Sequence, residues 1–483
     1  MRQPNDDRAL YYRQLRETIR NDFVPELTSA HAKDAAALVD RILAEFVVEE
    51  EHASALSAEF GAAFDALLQP HDRAARAPVA PDRFNELRRL AADEVGRTAG
   101  STDTVERERA RALVETEHRF LEQVDRLRSA ALAARADGTE PRAASECSVT
   151  NEQITDYLRR RLDHSPNVTV ERAAVVPGGR SKETILVSLR GTRELPSEVI
   201  LRKDRPVGLL QTRAADEYAV IKAVHDFGGV PVPEPFFAER DDHGLGEGTF
   251  LVMERVRGEK AGEFFPDLAA PAQHRPEIGR QLASALARLH ALPLDRLGAT
   301  GLDAAPAVTE QSVISGVDAI VQRIDELTGP PCATVPLARE WLVEHVSDVV
   351  PASGPALLQG DFGFHNMLID DDRVTALVDW EAAAIGPPAR ELAAAWAAVT
   401  VLLPWDDFVD AYVRAGGSPE AADPRAVAYY RVLSALGGFM ASRIGGHMFR
   451  TGTKRDLLTA HSGLDSHFRC ARNLARALAD AGW

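Results

Sequence analysis

The segment Gln359–Gly360–Asp361–Phe362–Gly363–Phe364–His365–Asn366 sets a carboxylate five positions ahead of a carboxamide. Leu377–Val378–Asp379–Trp380–Glu381 adds a second carboxylate thirteen residues after Asn366. Oxygen donors of this kind suit phosphoryl transfer. That reaction needs a group to orient an attacking hydroxyl and accept its proton. It also needs oxygen ligands for the Mg2+ that neutralises phosphate charge. Asp361 suits the first task. The amide oxygen of Asn366 and the carboxylate of Asp379 suit the second. Asp and Asn also occupy turns for conformational reasons alone, so the spacing gains weight only from the elements upstream.

Three upstream segments matter. Pro177–Gly178–Gly179–Arg180–Ser181–Lys182–Glu183–Thr184 lies between two strand candidates. Its glycines allow a tight turn and close approach of backbone N–H groups to an anion. Glu198–Val199–Ile200–Leu201–Arg202–Lys203–Asp204–Arg205–Pro206 carries cations at the end of a third candidate strand. Phe250–Leu251–Val252–Met253–Glu254–Arg255–Val256–Arg257–Gly258 is an apolar run that breaks into charge. With the DxxxxN spacing of Asp361 and Asn366, which matches the protein-kinase catalytic loop, the chain resembles the aminoglycoside phosphotransferase family and its kinase-fold relatives. Their loop reads HxDxxxxN and is followed by a metal-binding Asp.

The resemblance implies a two-lobed, protein-kinase-like α+β fold that binds ATP and Mg2+. It implies that Gly178, Gly179 and Ser181 cover the phosphates. Arg202, with Lys203 as the alternative, takes the position that contacts the α/β-phosphates and pairs with a helix carboxylate, here Glu217. The backbone from Glu254 to Val256 meets the adenine edge, with Met253 and Val199 as apolar walls or as plain core. Asp361 is the implied catalytic residue, and Asn366 and Asp379 the implied metal ligands.

Two positions depart from the family pattern. Gln359 stands where the family usually has His, which implies a retained hydrogen bond and little else. Glu391, in Gly386–Pro387–Pro388–Ala389–Arg390–Glu391–Leu392, replaces the Asp of a GxPxxDLA stretch. Leu289–His290 matches a common Leu-His pair, with His290 read as structural, and His365 receives no role. The stretch Leu201 to Leu210 resembles the branch associated with acyl-CoA dehydrogenases. A hydroxyacyl-type acceptor follows from that likeness, and an aminoglycoside-like compound is the other candidate. Two rival functions stay open: a nucleotide-binding pseudokinase or regulator with little activity, and a protein kinase. Against the second stands the lack of an APE-type element after Asp379.

These residues need a scaffold. Residues 1–136 read as a helical bundle, with Leu10, Leu15, Ile19 and Phe23, then Leu38, Ile42, Leu43 and Phe46, near helical spacing. Leu113, Leu121, Val124 and Leu127 do the same in a last helix that Thr102–Asp103–Thr104 can start. Residues 137–149 read as a linker. An N-lobe at 150–257 opens with a capping box, Thr150 and Gln153, and continues with strands near 168–176, 184–189, 199–201, 236–238 and 250–253 around one helix at 214–225. A mainly helical C-lobe at 258–483 holds the catalytic loop. Within it a hairpin of Leu368–Ile369 and Leu377–Val378 turns at Asp370–Asp371–Asp372.

Composition sets outer bounds. Of 483 residues, 45% are hydrophobic and 27% charged, as in globular proteins. The net charge of -17 opposes binding of nucleic acid through a basic face. Three scattered cysteines, Cys147, Cys332 and Cys470, suggest neither a disulfide framework nor a CxxC metal site. A cytoplasmic setting fits them, and no apolar leader or membrane span is expected. The first 136 residues have two candidate uses, formation of a homodimer or bracing of the upper lobe.

Overall fold

The structure, a computed structural model, describes residues 8–27, 30–68, 81–133, 147–176, 182–204, 212–240, 244–262, 275–298, 300–302, 309–327, 329–349, 354–453 and 457–483. The expected phosphate loop residues Gly178, Gly179 and Ser181 lie outside the described residues.

Four helices come first: α1 (Arg8–Thr18), α2 (Ala30–Leu68), α3 (Pro81–Thr98) and α4 (Thr104–Ala133). Asp103 accepts a hydrogen bond from the N–H of Val105 and so caps α4. Leu113, Leu121 and Val124 form its buried stripe, whereas Leu10 and Phe23 stay exposed. Next, α5 (Asn151–Arg161) begins with the full capping box of Thr150 and Gln153. There follow β1 (Thr169–Val175), β2 (Lys182–Arg190), β3 (Glu198–Asp204), α6 (Ala214–Phe227), β4 (Pro235–Glu239), β5 (Phe250–Glu254), β6 (Glu259–Lys260) and α7 (Pro276–His290). The remainder runs through α8 (Glu310–Glu326), α9 (Thr334–Glu344), β7 (Ala356–Leu358), β8 (Met367–Asp370), β9 (Arg373–Leu377), β10 (Ala384–Gly386), α10 (Pro388–Val399), α11 (Trp405–Arg414), α12 (Pro424–Thr451) and α13 (Leu457–Asp480). The hairpin strand placed at Leu377–Val378 is instead β9. Arg373 pairs with Asp370 directly across the turn, so pairing starts earlier than expected.

The chain divides into two compact units. One joins Met1–Arg142 with Val308–Pro351 and Ala428–Trp483, so the N-terminal helices share their unit with α8, α9 and α13. This differs from a division at residues 136, 149 and 257, and the buried charges give the reason. Glu117 of α4, fully buried, accepts from both the N–H and the hydroxyl of Thr334 at the start of α9, each at 3.0 Å. Arg88 of α3 donates to the carbonyl of Pro331 just before that helix. Arg476 of α13 bonds Glu122 of α4 at 2.8 Å. Helical periodicity announces a buried face but does not name the partner that covers it.

The second unit, Ala143–Ala307 with Ala352–Val427, holds an antiparallel sheet of order β1-β2-β3-β5-β4. Strand side chains alternate between faces. Ile185, Val187 and Leu189 of β2, Val199 and Leu201 of β3, and Phe250 and Val252 of β5 point one way. They form a core with Ile154, Tyr157 and Leu158 of α5. Lys182, Thr184, Ile200, Arg202, Leu251 and Met253 point the other way, in register with one another across β2, β3 and β5. The same unit contains the small sheets β6-β8-β9 and β10-β7.

Candidate active site

The alternation decides between the two candidate cations. Lys203 turns to the core side and donates to the carbonyl of Glu247 at 2.9 Å. Arg202 faces the other side, and its Nε donates to Glu217 Oε2 of α6 at 2.9 Å. The expected pair therefore forms with Arg202. Val199, read as an adenine wall or as core, lies in the core with α5. The position next to it, Ile200, shares the Arg202 face and pairs with Met253.

Glu217 is a two-sided clamp. Its Oε1 accepts from the N–H of Trp380 at 3.1 Å. One turn of α6 thereby fixes both the β3 cation and the backbone beside Asp379. Arg202 Nη2 in turn donates to Asp379 Oδ1 at 2.5 Å. Burial alone would favour loss of the Arg202 charge. The carboxylates of Glu217, Asp379 and Glu381 outweigh it and hold the guanidinium firmly protonated.

Asp379 adopts a left-handed backbone, with φ of 62°. Asp tolerates this region better than most residues, yet it still costs roughly 1–2 kcal/mol. Neighbouring bonds hold the strained turn. Gln359, almost wholly buried, donates from Nε2 to the carbonyls of Val378 and Asp379 at 3.1 and 2.8 Å. Its Oε1 accepts from the N–H of Asp361 at 2.9 Å. A carboxamide can donate twice and accept at the same time. Gln359 thus makes three side-chain bonds where the sequence suggested one.

The loop itself is fixed from behind by Glu391 of α10. Its carboxylate accepts from the N–H groups of Gln359 and Gly360. Burial pushes the Glu391 carboxyl up to about 7, against the opposing pull of those two N–H groups. Gly360 has φ of 87°, and a Cβ there would lie 2.0 Å from the carbonyl oxygen of Ala382. A larger residue would force the loop away from the Asp379 segment.

At the front of the loop, Asp361 Oδ2 accepts from Asn366 Nδ2 at 2.9 Å and meets His365 Nε2 at 3.0 Å. Asn366 Nδ2 also donates to the carbonyl of Asp361. Both of these bonds use the amide nitrogen, so the amide oxygen is turned away from Asp361. His365, which has no role in the sequence reading, thus touches the carboxylate of Asp361. His290 is structural: burial lowers its pKa to about 3, and Nδ1 meets the hydroxyl of Tyr412 at 2.9 Å.

The structure therefore brings Arg202, Glu217, Asp379, Gln359, Asp361 and Asn366 into one hydrogen-bonded series. Met253 lies on the same sheet face, buried on β5. Glu254 is tied to the backbone of Glu234 at both its N–H and its carboxylate, and Val256 follows, half-buried, after the strand ends. No direct contact joins these last two to the series among the described residues. Lys182, which the sequence reading passed over inside a glycine-rich turn, is buried beside Glu381 at 3.6 Å. Alternation on β2 would have found it, since it lies two residues from Thr184, the partner of Arg202.

Residues 172–430 match the family model described as "Phosphotransferase enzyme family". Acyl-CoA dehydrogenase family member 11 of Gallus gallus is 30% identical over 251 residues, which is 49% of this chain and 29% of that protein. The human protein of that name is 29% identical over 201 residues, 40% of this chain and 24% of its own length. The matched part is thus under a third of those relatives. Viomycin phosphotransferase of Streptomyces vinaceus is 28% identical over 214 residues, covering 41% of this chain and 68% of that one. A solved structure from Ralstonia eutropha, provisionally designated an aminoglycoside phosphotransferase, superimposes with a TM-score of 0.51 at 17% identity. It covers 69% of this chain and 99% of its own. That likeness speaks for the fold, the two-lobed kinase-like α+β arrangement expected from the sequence.

Proposed function

The chain belongs to the phosphotransferase enzyme family, and from that premise we propose that it moves the γ-phosphate of ATP to a hydroxyl of a small molecule. The observation that supports this most is the unbroken series Glu217–Arg202–Asp379–Gln359–Asp361–Asn366. It links the cation of the upper sheet to both carboxylates of the lower loops.

In this reading Asp361 takes the proton of the acceptor hydroxyl as its oxygen attacks the γ-phosphorus. The bond to the β–γ bridging oxygen breaks and ADP leaves. His365 and Asn366 hold Oδ2 and so aim the carboxylate. Arg202, always charged and able to bind phosphate with two N–H groups, steadies the nucleotide's phosphates. Glu217 keeps Arg202 extended toward them. Met253, with the backbone of Glu254 to Val256, would line the adenine.

Asn366 and Asp379 would hold Mg2+. Both offer hard oxygen donors, and Mg2+ commonly uses one or two such side chains and fills the rest of its shell with phosphate and water. Asp204, Glu217, Asp379 and Glu381 set four carboxylates against Arg202 and Lys182, an imbalance that a divalent cation corrects. When bound, the ion neutralises charge on the β- and γ-phosphates.

Gln359 and the additional helical domain are what suggest the pseudokinase alternative. The three bonds of Gln359 keep the catalytic loop and the Asp379 turn together, which favours an active enzyme. For the acceptor, the likeness to acyl-CoA dehydrogenase family member 11 supports a hydroxyacyl-type metabolite. The likeness to viomycin phosphotransferase supports an antibiotic, as an aminoglycoside-like compound would be. The test is ATP consumption by the purified chain against both classes, with Asp379→Asn as control. Asn also tolerates positive φ, so the fold should persist while turnover falls by about a hundredfold or more. Unchanged turnover in Asp379→Asn would overturn the assignment.

A further inference from the structure

We infer that Lys182 is a second phosphate-binding cation, which the protein holds in reserve on a carboxylate that the nucleotide displaces. This rests on the reading of the same site as an ATP site. Lys182 is the first residue of β2 and only 2% exposed. Its strand register puts it on the Arg202 face of the sheet, opposite Asp204. A buried ammonium needs partners. Among the described residues Nζ has three near it: the carbonyl of Thr212, to which it donates, Asp204 Oδ1 at 3.4 Å and Glu381 Oε2 at 3.6 Å.

These partners are unequal. Asp204 is already committed. Its Oδ1 accepts from the N–H of Ala214 at 2.9 Å, and its Oδ2 from the N–H and hydroxyl of Thr249 at 2.9 and 2.7 Å. It fastens the start of α6 to the strand beside it, whatever Lys182 does. Glu381 is shared: its Oε2 lies 3.6 Å from Lys182 Nζ and 3.8 Å from Arg202 Nη2. Both distances exceed hydrogen-bond length, so the carboxylate acts as a common counter-ion rather than a bonded partner of either cation.

Two cations on one sheet face, with one carboxylate within 4 Å of both and two residues past Asp379, match what a polyphosphate chain would bind. An incoming phosphate oxygen offers each cation a shorter, charge-assisted bond than Glu381 does. Glu381 would then be released from Arg202 and Lys182.

The inference predicts a dependence on phosphate number. Binding of adenosine, ADP and ATP to the full chain would be measured by calorimetry with Mg2+ present, for the parent protein and for Lys182→Met and Lys182→Arg. In Lys182→Met, ATP affinity should fall by about tenfold or more, the scale of one charge-assisted bond. Adenosine affinity should stay unchanged, and Lys182→Arg should recover most of the ATP affinity. Equal weakening of all three ligands, or none, would overturn the inference. If Lys182→Met does not fold, Glu381→Gln serves instead: it removes the counter-ion and should tighten ATP binding while sparing adenosine. Weaker or unchanged ATP binding in Glu381→Gln would count against the exchange. Failure of the parent chain to bind ATP at all would instead sink the ATP reading itself.

Discussion

Arg88 in the helical unit and Arg202 in the sheet unit are both withdrawn from water and both face a buried glutamate, but their surroundings differ. Arg88 bonds Glu117 at 3.3 Å and the carbonyl of Pro331 at 2.9 Å, and its guanidinium lies 4.9 Å from the Phe120 ring centroid. Glu117 spends its other oxygen on Thr334. Every partner is backbone, a ring or a committed carboxylate. Arg202 instead faces Glu217, Asp379 and, farther off, Glu381. One of these sits on a strained turn and one at long range. The first network spends its charge on contacts that tie helices together. The second carries surplus negative charge and contacts that can be exchanged, which is what a site needs if ligand and metal are to enter it.

Substitution of the two arginines tests that contrast most severely. On the proposed reading, Arg202→Met should cut turnover by about a hundredfold or more, since it would remove a preorganised donor to the nucleotide's phosphates. Arg88→Met should leave turnover per folded molecule unchanged while costing about 3–5 kcal/mol of stability, the usual result of stranding one partner of a buried pair. Denaturant titration and kinetics on the folded fraction separate the two outcomes. Loss of turnover in folded Arg88→Met, matching that of Arg202→Met, would erase the distinction.

The contrast also shows what the sequence could disclose. The apolar run from Thr184 to Leu189 announced β2, and the structure turns Ile185, Val187 and Leu189 to its core face. Thr150 and Gln153 announced the start of α5. The Asp361-to-Asn366 spacing and the Arg202–Glu217 pair were legible because loop chemistry and strand position leave local marks. The joining of α9 and α13 to α4 was not, because the contacts of Glu117 with Thr334 and of Glu122 with Arg476 span hundreds of residues. Lys182 was hidden by its setting, since a lysine three residues after a glycine pair reads as solvated until register turns it inward. The reach of Gln359 to the carbonyls of Val378 and Asp379 depends on a backbone turn with no sequence signature beyond an aspartate.

Glu391 gives an intermediate effect, because it is a buried carboxylate held by two backbone N–H groups. Its carboxyl titrates near 7 when folded and near 4.5 when unfolded. Between those values the folded state keeps a proton that the unfolded state has released. Stability contributed by this group is therefore full below about pH 4.5 and is lost as pH rises through 7, by roughly 3 kcal/mol. Glu391→Gln cannot titrate. The difference in unfolding free energy between parent and variant should therefore change across that window and level off above it. A difference independent of pH would show that the carboxyl is ordinary.

The smallest effect should come from Lys203, one residue from Arg202 and just as buried. If position along the strand were what mattered, removing either charge would weaken nucleotide handling. If the face matters, Lys203 belongs with Arg88: it ends on a backbone carbonyl, that of Glu247, and touches none of the exchangeable carboxylates. Lys203→Met should then keep both KM for ATP and kcat within about twofold. It should cost only about 1.5–3 kcal/mol of stability, the scale of one bond from a charged group. A large rise in KM with stability intact would place Lys203 among the phosphate contacts and would undo the use of strand alternation to separate a closed charge from an open one.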